Sequence, residues 1–156
     1  MIELHDISFD FPITSDMRTH MTKSPIIKIN RSKKSRIHKN PQLYDFKPIG
    51  FWYSFGTEWI EWVKSEMPEW MGNNLYEVKI QNKNILKINS SYHLVEFDNE
   101  FKVKNPINDI YCDFIDWKRV YEKYDGIEIT PYNWDFRLKY MWYYSWDVAS
   151  GCIWNV

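Results

Sequence analysis

The stretch KPIGFWYSFGTEWIEWVKSEMPEW, residues 47–70, holds four of the chain's nine tryptophans. Its reading decides the fold. IGFWYS (49–54) is a short aromatic run that Gly56 breaks, which predicts a strand. Thr57 then stands as an N-cap, Glu58 and Glu61 place acid in the first turns, and Trp59, Ile60, Trp62 and Val63 recur at helical spacing. A helix follows, and Pro68 ends it. The stripe predicts that Trp59 and Trp62 pack into the core.

Working outward, residues 2–11 alternate loosely and predict an edge strand or an extended lead-in, while DMRTHMTKSP (16–25) reads as a loop. PIIKINR (25–31) predicts a strand that ends in a basic loop over 32–47. LYEVKIQNKNILKI (75–88) is two alternating runs around QNKN, a hairpin or strand pair. Residues 90–101 predict a short helix capped by Ser90 or Ser91, and 115–126 another, with Asp116 as cap and Gly126 as stop. IEIT gives a strand closed by Pro131, and WYYSWDV with GCIWNV gives the last strands. The sum is one α+β domain over 1–156, with mixed or antiparallel strands and about three short helices.

The 156 residues are 44% apolar, enough for one core, and no window of about 18 apolar residues spans a membrane. The amino-terminal residues lack the pattern of a secretion signal, so the expectation is a soluble, cytoplasmic protein. Cys112 and Cys152 lie far apart and predict two buried thiols. Residues 23–47 carry eight Lys/Arg against Asp45 alone, which leaves twelve Lys/Arg and twenty Asp/Glu elsewhere. Lys33, Lys34, Arg36 and Lys39 in that segment suit phosphate, or form a solvated loop. Nine tryptophans supply large flat surfaces for core packing or for stacking on a flat ligand.

The five glycines make no dinucleotide fingerprint or phosphate loop, and no G-x-S-x-G elbow is present. His5, His20, His38 and His93 stand alone, so no metal site is expected. In GIEI the two isoleucines face the core, which throws Glu128 onto the opposite face. On the strand GFWYS, Trp52 and Ser54 share one face while Phe51 and Tyr53 share the other. Only one pair can line a cleft, and the Trp52 and Ser54 pair is preferred, with Tyr53 as the alternative.

Taken in chain order, Arg31, then GFWYS with its helix, then YDGIEI resemble the ADP-ribosyltransferase superfamily. Its members carry a strand ending in Arg or His, a Ser or Tyr in wording like Gly-apolar-Tyr-Phe-Ser before a helix, and a late strand with a catalytic Glu. The match spans residues 26–130. The resemblance implies an ADP-ribosyltransferase-like fold and an NAD-consuming glycosyltransferase. Glu128 would stabilise the sugar cation, Ser54 would hold the ribose or support Glu128, and Arg31 would grip the pyrophosphate or adenosine ribose. Trp52 or Tyr53 would stack on nicotinamide, with Asp147 supporting the cofactor or the acceptor. The acceptor would be a protein or nucleic acid reached through the basic segment. The setting would be a toxin or phage conflict, with a neutralising partner protein. Gly126 stands where the family often has Glu or Gln two residues before its catalytic acid, which points away from arginine modification. Two other classes stay open: a non-enzymatic module binding nucleic acid or protein through residues 23–47, and an aromatic-rich carbohydrate binder.

Overall fold

The computed structural model describes residues 1–26, 29, 46–104 and 113–156. Among them, seven strands form one mixed sheet: β1 (Ile2–Ile7), β2 (Arg18–Thr22), β3 (Phe51–Phe55), β4 (Asn74–Ile80), β5 (Ile85–Ile88), β6 (Gly126–Ile129) and β7 (Ser150–Ile153). Their order is β1-β4-β2-β3-β7-β6-β5, antiparallel except for the parallel pair β5 and β6. Four α-helices accompany them: α1 (Glu58–Glu66), α2 (Ser91–Phe101), α3 (Trp117–Lys123) and α4 (Met141–Tyr144). The α+β expectation holds, and no described helix is long and apolar enough to cross a membrane.

The opening stretch folds as its pattern dictates. Gly56 adopts φ +60, a left-handed turn that glycine enters without steric cost, and this redirects β3 into α1. Thr57 occupies the N-cap position, but its hydroxyl lies 3.2 Å from Glu61 Oε1 and makes no cap bond. α1 buries Ile60 and Val63. Trp59 and Trp62 are not core residues: they sit half-buried, stacked on each other with ring centroids 5.0 Å apart. α2 is capped as expected, Ser90 Oγ accepting from the His93 amide at 3.2 Å.

Three expectations require correction. Arg18–Thr22, within the segment read as a loop, is strand β2 between β4 and β3. β4 and β5 are adjacent in sequence, yet β5 pairs with β6 at one edge while β4 pairs with β1 and β2 toward the other, so they form no hairpin. WYYS is not strand: Met141–Tyr144 forms α4, whose Trp142 and Tyr143 are fully buried. The reason is tertiary. Trp142 donates its indole N–H to Asp98 Oδ1 at 2.9 Å and packs against Phe97 of α2 and Trp117 of α3, contacts that outweigh aromatic strand propensity. Trp146 then bridges Trp142 to Trp52 of β3, joining the helical layer to the sheet. Cys152 is a buried thiol, and Cys112 lies outside the described residues.

Candidate functional site

Strand register sorts the central side chains onto two faces. Tyr53 is opposite Gly151, and Gly151 is opposite Glu128, so the three form one row across β3, β7 and β6 and share a face. Gly151 is required there, because a Cβ would lie within 2.6 Å of the Tyr53 ring. With that space open, the phenol crosses the intervening strand and donates to Glu128 Oε1 at 2.8 Å. Arg18, one residue before Thr19 on β2 and opposite Phe55, reaches the same oxygen from Nε at 2.6 Å. Its guanidinium also lies 5.8 Å from the Phe55 ring centre.

Glu128 is 3% exposed, so its charge is held by the Arg18 and Tyr53 bonds and not by water. Burial would lower the Arg18 pKa, but its bond to Glu128 and that residue's charge hold it above the ordinary value. Burial pushes the Tyr53 phenol far up, and the Glu128 charge pushes it further. Tyr53 is therefore a permanent donor.

The next row, Ser54–Ser150, belongs to the opposite face, and Thr19 stands directly across from Ser54 on β2. This face opens into a cleft of about 310 Å³, the size of a small-ligand site. Trp52, Trp59 and Trp146 supply its aromatic walls, Ser54 a hydroxyl, Asp147 a carboxylate and Lys47 a cation. Thr19 Oγ1 donates to the Gly56 carbonyl at 2.8 Å and lies 3.3 Å from Ser54 Oγ. Since a hydroxyl has one proton, Ser54 is the donor of that pair, and its own oxygen keeps acceptor capacity.

The segment carrying Trp146 and Asp147 is pinned beside β3. The Phe55 amide donates to the Ala149 carbonyl at 3.2 Å, and the Ala149 amide to Glu58 Oε2 at 2.9 Å. Trp146 is 1% exposed, and its Nε1 has no hydrogen-bond partner among the described residues. An orphaned buried N–H costs roughly 1–3 kcal/mol. Burial raises the Asp147 pKa, opposed by the charges of Lys47 and of Arg137, whose NH2 is 3.7 Å away. Lys47 Nζ sits 5.6 Å from the Trp52 ring centre. His20, another lining residue, places Nδ1 at 2.6 Å from the Trp52 carbonyl; a carbonyl only accepts, so Nδ1 carries the proton.

Of the residues read from sequence, Trp52, Ser54 and Asp147 line this one cleft; Tyr53 borders it by its place on β3, but its phenol crosses to Glu128 on the other face. Glu128 does not join them. It occupies the face opposite Ile127 and Ile129, as alternation predicts, but that face is the one away from Ser54, and the carboxylate is enclosed. The expected meeting of Ser54 with Glu128 fails because Glu128 is in row with Tyr53, one residue out of register with Ser54. Arg31, Lys33, Lys34, Arg36 and Lys39 lie outside the described residues. Sequence reasoning missed Arg18, Thr19 and Trp146. In RTHMT no alternation marks a strand, and Trp146 was indistinguishable from the other tryptophans. Among the described residues no group of three His, Cys, Asp or Glu is placed to hold a metal ion.

Comparison with family models, with curated proteins and with solved structures finds no match to the chain.

Proposed function

We propose that the protein is an NAD-consuming ADP-ribosyltransferase whose reacting sugar sits in the Trp52–Ser54 cleft, with Asp147 as the carboxylate that faces it. The observation that carries this reading is the convergence of an aromatic wall, a hydroxyl and a half-buried acid, from separate segments, on one cleft. A volume of about 310 Å³ suits the nicotinamide riboside half of NAD, with the remainder at the mouth.

The chemistry asks for those groups. Heterolysis of the nicotinamide–ribose bond sends its electron pair to the ring nitrogen, which becomes neutral, and leaves an oxocarbenium-like sugar. Asp147 stabilises that cation, and Ser54 accepts from a ribose hydroxyl. Trp52 stacks on the departing ring. An acceptor nucleophile adds to the sugar carbon and loses its proton. Glu128 takes no part in this step: it is enclosed on the other face of the sheet, where it accepts from Tyr53 and Arg18.

The test is nicotinamide release from NAD. Asp147→Asn lowers the rate on the order of 10²-fold or more with an unchanged melting temperature, and Ser54→Ala raises KM more than it lowers kcat. Full activity in Asp147→Asn overturns the assignment. One contact favours a second reading, a binding module without turnover: Arg137 partly neutralises Asp147 at 3.7 Å. NAD that binds and is never cleaved establishes that reading instead.

A further inference from the structure

Outside the cleft, α1 and the single 3-10 turn that follows it (Pro68–Trp70) present a second aromatic surface. Trp59 and Trp62 are stacked with an interplanar angle of 10°, and Trp70, 49% exposed, lies 6.0 Å from Trp62. These indoles contribute little to the core, since α1 buries Ile60 and Val63 instead. Trp59 also lines the cleft, so the platform begins where the cleft opens.

Charge decides what the platform suits. Glu66 follows Trp62 by four residues and Trp59 by seven, which sets it about 40° and about 20° around the helix from them, on the indole stripe itself. Lys64, the one basic residue of α1, is turned about 160° from Trp62. Glu69 directly precedes Trp70, and both glutamates are exposed. The stripe therefore joins the electron-rich faces of indoles to carboxylates and keeps the only cation of the helix away. Such a surface attracts guanidinium and ammonium groups and repels phosphate.

We infer that this platform docks a Lys/Arg-rich segment of a partner protein, its cations stacked over Trp62 and Trp70 and paired with Glu66 and Glu69. The inference stands apart from the NAD reading, because its test measures binding alone; where both hold, the partner segment is delivered to the cleft mouth.

The experiment is fluorescence anisotropy of a labelled peptide of alternating arginine and glycine, run beside a labelled oligothymidylate of similar length and a neutral glucan oligomer. The peptide binds, and its affinity falls with salt. Trp62→Ala and Trp70→Ala each weaken it about 2–5-fold. Glu66→Lys combined with Glu69→Lys weakens it on the order of tenfold and steepens nothing for the glucan. All four positions are exposed or half-exposed, and a thermal melt confirms that each variant is folded. Peptide binding indifferent to the charge reversal overturns the inference, as does preference for the oligothymidylate or the glucan at Trp62 and Trp70.

Discussion

Glu128, given a catalytic role only by the sequence resemblance, is a buried strut in the fold. Replacing Glu128 by Leu leaves the Arg18 guanidinium and the Tyr53 hydroxyl without their shared acceptor. Removing one partner of a buried pair costs roughly 3–5 kcal/mol, and since the Arg18 side chain is 26% exposed the lower end applies, about 3 kcal/mol. A domain of this size has about 5–15 kcal/mol in total, so the loss is visible in urea unfolding followed by tryptophan fluorescence. Tyr53→Phe alone costs about 1 kcal/mol. The triple variant Arg18→Met, Tyr53→Phe, Glu128→Leu removes every polar member together and returns to within about 1–2 kcal/mol of the parent. The nicotinamide release proposed above is unchanged in it, since the phenyl ring holds its place and Glu128 does not face the cleft. A Glu128→Leu cost below about 1 kcal/mol refutes the strut. A triple variant that is folded and inactive refutes the placement of the chemistry at Asp147.

Three further outcomes follow from single positions. Gly151→Ala places a Cβ within 2.6 Å of the Tyr53 ring, so it destabilises by about 1–3 kcal/mol, and Tyr53→Ala in the same chain relieves part of that cost in a double-mutant cycle. Burial holds the His20 pKa below its ordinary 6.5, so the unfolded chain takes the proton first; stability is full above 6.5 and declines as pH falls toward the folded value. His20→Gln, which can still donate to the Trp52 carbonyl, flattens that part of the pH profile in urea unfolding. For Asp147, burial raises the pKa above the ordinary aspartate 3.8, so the acid limb of nicotinamide release lies above that value, and Lys47→Met, by removing an opposing charge, moves it higher still.

What the sequence made legible was local. The change from an aromatic run to helical spacing across Gly56, and the proline at 68, located β3 and α1 because backbone chemistry acts over a few residues. Alternation in GIEI put Glu128 on the correct face of β6, and alternation in GFWYS put Trp52 with Ser54 on the face that lines the cleft. Which face of one strand matches which face of another is a matter of register, and no pattern within GFWYS or GIEI carries it. That is why Ser54 and Glu128 were expected together and are separated by one row. β2 escaped notice for the related reason that Arg18 and Thr19 gain their strand character from partners: Thr19 from Ser54 and the Gly56 carbonyl, Arg18 from Glu128, 110 residues away. The indoles of α1 escaped because helical spacing marks a stripe without saying that Ile60 and Val63, and not Trp59 and Trp62, would turn inward.

Trp52, which walls the cleft, gives the most direct readout of where NAD sits. In a ¹⁵N-labelled sample, with indole resonances assigned by single Trp→Phe variants, NAD moves the Trp52 Nε1–H signal upfield as the nicotinamide ring stacks on the indole. The Trp154 signal, already bonded to the Tyr124 carbonyl at 2.6 Å, stays in place. A Trp52 signal that remains still while the Arg18 Nε–H signal shifts would put the ligand on the Glu128 face and contradict the proposed site.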